Sequence, residues 1–186
     1  MTIEHLPIHV REAAADDVAA ITAIYRPAVI HGTASFELDP PDVQEMARRM
    51  EVIVQSGNCY LVALSGGEIV GYAYFGPYRP RPAYRWTVEN AVYIAPGQQR
   101  RGVGRILMAD LIRRAEGSGL RQMVAVIGDS ANHPSIGLHA SMGFQHCGIV
   151  KSVGHKHGRW LDQVIMQRSL GMGDEEAPTG RTVSHP

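Results

Sequence analysis

Met123-Val124-Ala125-Val126-Ile127 is a short, wholly apolar run. As a strand it suits the middle of a sheet, buried on both faces, so the chain must cover that sheet on two sides. The rest of the pattern supplies the cover. Ile8–Ala13 alternates enough for a first strand. Asp16 is placed to cap a helix carrying Val18, Ile21 and Ile24, which Pro27 should end or bend. After a loop at His31–Asp39, Pro40 and Pro41 open a second helix with Val43, Met46, Met50 and Val54 on one face. Cys59–Leu64 and Ile69–Phe75 flank Ser65-Gly66-Gly67-Glu68, which predicts an antiparallel hairpin.

An irregular segment, Gly76–Arg85, precedes a strand at Val88–Ile94. A glycine-rich turn, Gly97–Gly104, leads into a helix with Val103, Leu107, Leu111 and Ala115, stopped by Gly117 and Gly119. A short helix at Pro134–Met142 has Gly143 as its left-handed cap. Strands at about Gln145–Val150 and Leu161–Arg168 finish the sheet. The order is strand, two helices, three strands, helix, strand, helix, two strands. This predicts one α/β domain over residues 1–170, with a mixed sheet and helices on it. Strand and helix do not alternate regularly, which disfavours a doubly wound dinucleotide fold. From Gly171 to Pro186 few groups can be buried, so a disordered tail is expected.

Eighteen Lys+Arg balance eighteen Asp+Glu. A neutral chain lacks the excess positive charge that drives general binding to nucleic acid or anionic membranes. The N-terminus has no basic start followed by an apolar core, and no apolar run approaches the ~18 residues of a membrane span. With only Cys59 and Cys147, the chain reads as cytoplasmic, with reduced thiols in the core. Neither thiol has a His/Asp arrangement to activate it. Nine histidines invite a metal, but His155-x-His157 and the His133/His139 pair lack a Cys, Asp or Glu at ligand spacing, so none is expected.

The sharpest local feature is Gln99-Arg100-Arg101-Gly102-Val103-Gly104, between an apolar strand and an amphipathic helix. Glycines let successive backbone N–H groups converge, and the helix start adds partial positive charge. Arg100, Arg101 and Arg105 add full charges, completing a seat for a pyrophosphate. A Walker loop needs Lys then Ser/Thr after its second glycine, where this chain has Arg105-Ile106. On spacing alone, a plain glycine-rich connector with solvated arginines fits equally well.

Val92-Tyr93-Ile94 followed by Gln99-x-x-Gly102-x-Gly104 resembles the acetyl-CoA signature of the GNAT N-acetyltransferase superfamily. Asn132-x-x-Ser135-Ile136-x-Leu138-His139-x-x-x-Gly143-Phe144 resembles its second cofactor motif. Gly32–Glu37, Tyr84-x-Trp86-Thr87-Val88-Glu89, Val124–Ile127 and Lys156-His157-Gly158-x-Trp160 look like the phosphinothricin and methionine-sulfoximine/sulfone acetyltransferases. The resemblance spans roughly Ile8 to Leu170. It implies an acyl-CoA N-acyltransferase fold: a mostly antiparallel sheet, flanking helices, and a parallel strand pair splayed to admit the pantetheine arm. Val92, Tyr93 and Ile94 would hold that arm by added-strand pairing, and Asn132 would reach the cofactor. Backbone N–H groups of Arg100, Arg101, Gly102, Val103, Gly104 and Arg105 would hold the pyrophosphate. The resemblance further implies a homodimer, with Lys156–Trp160 near the subunit boundary.

Acetyl transfer from a thioester requires an ammonium to lose a proton and a thiolate to be stabilised or protonated. An α-amine has a pKa of ~8, so a nearby carboxylate is a suitable base. Glu89 lies inside an otherwise apolar strand and matches the base of the resembled family; by strand context alone it is also a solvated charge or an arginine's partner. His139 stands where many members have a Tyr to protonate sulfur, and imidazole can give or take that proton. A packing histidine is the plainer reading of it. Either residue can be the main base. Arg79 and Arg81 pair two guanidiniums in an otherwise uncharged loop, suiting a carboxylate and a second polar oxygen; a solvated basic loop is the plainer alternative. The resemblance adds Phe36 and Tyr84 as apolar walls. Ala91 departs from the small hydroxyl residue expected there, which removes one hydrogen bond to an acceptor. The expected activity is acetylation of a small amino acid, such as phosphinothricin, methionine sulfoximine or methionine sulfone, in a ternary complex. Another small amine, a protein N-terminus, or a non-catalytic acyl-CoA sensor are the competing readings.

Overall fold

In the computed structural model, which describes residues 6–178, seven strands form one sheet. In chain order they are β1 (Ile8–Glu12), β2 (Tyr60–Ser65), β3 (Glu68–Pro77), β4 (Thr87–Ile94), β5 (Gln122–Gly128), β6 (Gln145–Lys156) and β7 (Arg159–Ser169). Across the sheet they run β1-β2-β3-β4-β5-β7-β6. Every neighbouring pair is antiparallel except β4 and β5. The apolar run of β5 is therefore interior, between β4 and β7.

Four helices cover the two faces: α1 (Val18–Ile30), α2 (Val43–Gln55), α3 (Val103–Gly117) and α4 (His133–Ser141). On one face Leu107, Met108 and Leu111 of α3 are sealed against Leu61, Phe75 and Met123. On the other, Ile21 and Val29 of α1 and Met46 of α2 pack on Tyr60, Val62 and Tyr72. Each such fully buried side chain contributes about 1.5–3 kcal/mol by leaving water.

Several elements differ from the sequence expectation. Helix α1 runs through Pro27 to Ile30, with Pro27 O accepting from His31 N–H at 2.9 Å. Proline removes one helical donor, but the carbonyl so freed belongs to exposed Ala23, and burial of Val29 holds the last turn in place. Asp16 is not the cap of α1. A 3-10 turn, Ala15–Asp17, comes first, and buried Asp17 accepts from Ala14 N–H and pairs with Arg11 at 2.6 Å. Asp42, not the proline pair, caps α2, accepting from Glu45 N–H at 2.8 Å. The β2–β3 hairpin turns at Gly66 and Gly67, both left-handed at φ 62° and 84°, which suits the twist of the strands. Strands β6 and β7 are longer than predicted and meet at His157-Gly158. Residues 171–176 form turns in which Gly173 N–H donates to Leu170 O at 2.9 Å. The rest of the expected tail, 179–186, lies outside the described residues.

Candidate active site

Strands β4 and β5 pair over only four positions, from Thr87↔Gln122 to Asn90↔Ala125. Past that point β4 continues to Ile94 on β3, and β5 continues to Gly128 on β7. The inner edges of Ala91–Ile94 and Val126–Gly128 thus diverge, leaving backbone groups of two strands facing a gap. Such groups can take an extended ligand as an added strand takes its place in a sheet.

The gap opens into a groove of about 800 Å³ lined by β4, the α3 turn and α4. Val92, Tyr93, Ile94, Arg100, Gly102, Val103, Gly104, Arg105 and Asn132 all line it. Arg101 does not: its guanidinium turns to Gln98, and its Nε is buried without a partner. Gly102 precedes α3 with φ 82°, a backbone open to glycine at no steric cost. The first backbone bond of α3 is Ile106 N–H to Gly102 O at 3.0 Å. The N–H groups ahead of it carry the partial positive charge of the helix end and are available to an anion. A Cβ on Gly104 would come within 3.1 Å of Leu138 and narrow the groove.

At its inner end the groove shares Ala34, Val92, Tyr93, Asn132 and Ser135 with a chamber of about 250 Å³. Glu89, Asn90, Phe36, Tyr74, His139 and Gln163 also line the chamber. Glu89 is half-buried. Burial pushes its carboxyl above the usual range, and the charge of Arg79 opposes the shift. No hydrogen bond or ion pair among the described residues engages this carboxylate, so it is free to meet a ligand. His139 is buried, which lowers its pKa, with the Ser135 carbonyl acting against that. Its Nδ1 lies 2.8 Å from Ser135 O, and its Nε2 lies 2.9 Å from Asn90 Nδ2.

Phe36 sits on the loop between α1 and α2. That loop is tied from several sides. Tyr25 bonds Ser35 Oγ at 2.7 Å and Glu37 at 2.8 Å, Arg49 pairs with Glu37 at 2.7 Å, and buried Lys156 donates to Ser35 O at 2.8 Å. Lys156 thus serves a loop of its own chain. Arg79, Arg81 and Tyr84 are exposed and stand outside the chamber's lining. Arg79 stacks on Tyr78 at 4.4 Å, Tyr84 meets Tyr78 edge-on at 5.8 Å, and Arg81 starts the 3-10 turn Pro82–Tyr84.

Cys147 is exposed rather than in the core, because β6 is an edge strand with little cover. Cys59 is half-buried just before β2, and burial pushes its thiol up to about 11, too high for a resting nucleophile. Among the described residues no three His, Cys, Asp or Glu group as metal ligands. Four chamber residues escaped the sequence reading of the site: Asn90, Tyr74, Gly128 and Gln163. The signal for Asn90 was slight, a polar residue next to Glu89 in an apolar strand.

An acetyl donor's long, anion-bearing arm fits this groove, with a carboxylate at its inner end. The comparisons with known proteins agree. The profile of the acetyltransferase (GNAT) family matches residues 19–144. The chain belongs to the GNAT acetyltransferases, in their phosphinothricin/methionine sulfoximine acetyltransferase branch. It is 53% identical to a phosphinothricin N-acetyltransferase of Alcaligenes faecalis over 91% of this chain and 86% of that one. It is 41% identical to an L-methionine sulfoximine/L-methionine sulfone acetyltransferase of Pseudomonas paraeruginosa, over 87% and 94%. Among solved structures, a phosphinothricin acetyltransferase from Sinorhizobium meliloti in complex with acetyl-CoA superposes with a TM-score of 0.90. It shares 44% identity over 92% of this chain and 93% of its own. A Salmonella typhimurium acetyltransferase with acetyl-CoA gives 0.88 at 38% identity, over 94% and 99%.

Proposed function

We propose that this protein moves the acetyl group of acetyl-CoA directly onto the α-amine of a small amino acid of the phosphinothricin and methionine sulfoximine kind. The observation that carries this is the continuity of the β4–β5 gap. It joins an anion seat at α3 to a chamber holding an unpaired carboxylate. The relatives named above act on such amino acids, and two related structures hold acetyl-CoA.

Acetyl-CoA supplies an activated thioester. The backbone N–H groups of Arg100 and of Gly102 to Arg105 hold its pyrophosphate, with Arg100 and Arg105 adding charge. The free edge of Val92–Ile94 holds the pantetheine arm, and Asn132 borders its path at the N-cap of α4. Glu89 takes the proton of the incoming ammonium, directly or through one water. Its raised pKa makes it a better base than an exposed carboxylate. Both ring nitrogens of His139 are already engaged, which favours Glu89 as the main base. Arg79 and Arg81 clamp the substrate's carboxylate from the loop before β4, and Phe36 and Tyr84 border its side chain. The protein works as a cytoplasmic homodimer. No helix among the described residues is long and apolar enough to cross a membrane.

The test is thiol release from acetyl-CoA that depends on added L-phosphinothricin, with the acetyl group recovered on the amino acid's nitrogen. Acetyl recovered on the protein itself would contradict direct transfer.

A further inference from the structure

One buried acceptor at the chamber has no partner: Asn90 Oδ1. Asn90 is 6% exposed, lines the chamber, and occupies the last paired position before β4 leaves β5. Its Nδ2 lies 2.9 Å from His139 Nε2 and 3.3 Å from Met108 Sδ. Across the ring, His139 Nδ1 is 2.8 Å from the Ser135 carbonyl oxygen, which can only accept. Nδ1 therefore carries the hydrogen, and the bare Nε2 of the neutral ring accepts from Asn90. The imidazole is fully satisfied while the asparagine is not. Native structures leave few buried polar atoms in that condition.

A second protonation state gives Oδ1 a purpose. With a proton on Nε2 the ring donates at both nitrogens. Nδ1–H keeps Ser135 O, and Nε2–H needs an acceptor where Nδ2 now stands. A half-turn of the amide about its second side-chain torsion brings Oδ1 there. That torsion is broad, and the two ends of the amide are nearly equal in size, so the swap needs no repacking. We propose that Asn90 is a positioning residue for His139. Its Nδ2–H holds the neutral imidazole and its Oδ1 holds the imidazolium, so that His139 can take a proton at Nε2 and return it within one turnover.

This rests on the acetyl-transfer reading of the chamber. Glu89 removes the first proton from the ammonium. As the amine nitrogen bonds to the acetyl carbon, the Asn90 amide turns its Nδ2 away and the freed lone pair of His139 Nε2 takes the second proton. As the carbon–sulfur bond breaks, that proton goes to the sulfur and the thiol leaves. His139 ends as it began, and Glu89 gives up the first proton to solvent, so no further reactant is required.

The experiment combines nitrogen NMR of the histidine rings with kinetics. The His139 signals are assigned by their loss in His139→Gln. At neutral pH the free protein should carry hydrogen on Nδ1 and none on Nε2; a wild-type ring protonated at Nε2 overturns the proposal with no variant needed. Asn90→Asp, which offers only acceptors, should move a proton onto Nε2. Asn90→Leu should lower kcat by about 10²-fold or more, the scale of a lost proton transfer, with acetyl-CoA affinity unchanged. Asn90→Thr, whose hydroxyl donates or accepts by rotating, should recover part of that loss. A folded Asn90→Leu protein with wild-type kcat sinks the proposal. Full activity in His139→Gln beside an inactive Glu89→Gln overturns the relay and leaves acetyl transfer at this site standing. Full activity in both removes the chamber reading itself.

Discussion

Glu89 is held in an unfavourable place by the strand that positions it. Burial raises its carboxyl pKa above the ordinary value, and Arg79 only partly opposes that. A carboxyl whose folded pKa lies above its unfolded one adds stability at low pH, and loses it as pH rises through the folded value. Once ionised, the group therefore strains the fold slightly. Glu89→Gln should leave thermal stability at neutral pH equal or higher, while kcat falls about 10²–10⁴-fold and acetyl-CoA affinity holds. Thermal melts, calorimetry and initial rates on one preparation check all three. Arg79→Ala removes the opposing charge, so the Glu89 pKa rises further. The acid limb of the pH–rate profile should move to higher pH, and the acceptor KM should rise. An unmoved acid limb would take Glu89 out of the base role. At this scale the sequence was legible for Glu89, a lone acid in an apolar strand. It was mute on Asn90, whose meaning lies in His139 and Met108, residues brought to it by α4 and α3.

Elements matter here mostly where regularity stops. The β4–β5 pairing ends at Asn90↔Ala125, and α3 begins on a left-handed glycine. Gly104→Val pushes a branched side chain at Leu138, within 3.1 Å of the first added carbon. Loss of one or two charge-assisted bonds, about 1.5–3 kcal/mol each, should weaken acetyl-CoA binding by at least about tenfold. Calorimetry on a folded variant with unchanged affinity would refute the seat. The α3 turn and the interior strand β5 were readable because glycine spacing and an unbroken apolar run are local signals. Strand β6 was not readable past Val150: it is a largely exposed edge with register shifts at His146/Gly148 and Val150/Gly154, so no alternation marks it. The passage of α1 through Pro27 was also hidden, since burial of Val29 outweighs a local rule. Gly154 shows how such an edge serves the site. A Cβ there would sit 2.2 Å from the Phe36 ring, so Gly154→Ala should displace Phe36 and raise the acceptor KM more than that of acetyl-CoA.

At the scale of the molecule, the β6 edge and its hairpin with β7 leave Ile149, Val150, Val153 and Trp160 exposed. An uncovered apolar edge strand invites pairing or aggregation unless a partner covers it. The proposed homodimer should appear as a single dimeric boundary in sedimentation velocity, and Val150→Asp with Trp160→Asp should return it to monomer. A wild-type monomer at high concentration would contradict that assembly. The central claim concerns chemistry, and chemistry is set by the site rather than by the fold. An acceptor fixed by its carboxylate presents its amine to the thioester in one orientation, and orientation of that kind lowers a large part of the barrier. The direct measurement is the initial rate of thiol release from acetyl-CoA across a matched panel. It sets L-phosphinothricin, L-methionine sulfoximine and L-methionine sulfone against their decarboxylated amines and a simple monoamine. The account predicts fast release with the three amino acids and little with any amine lacking the carboxylate. Faster release with the monoamine than with all three amino acids would contradict it.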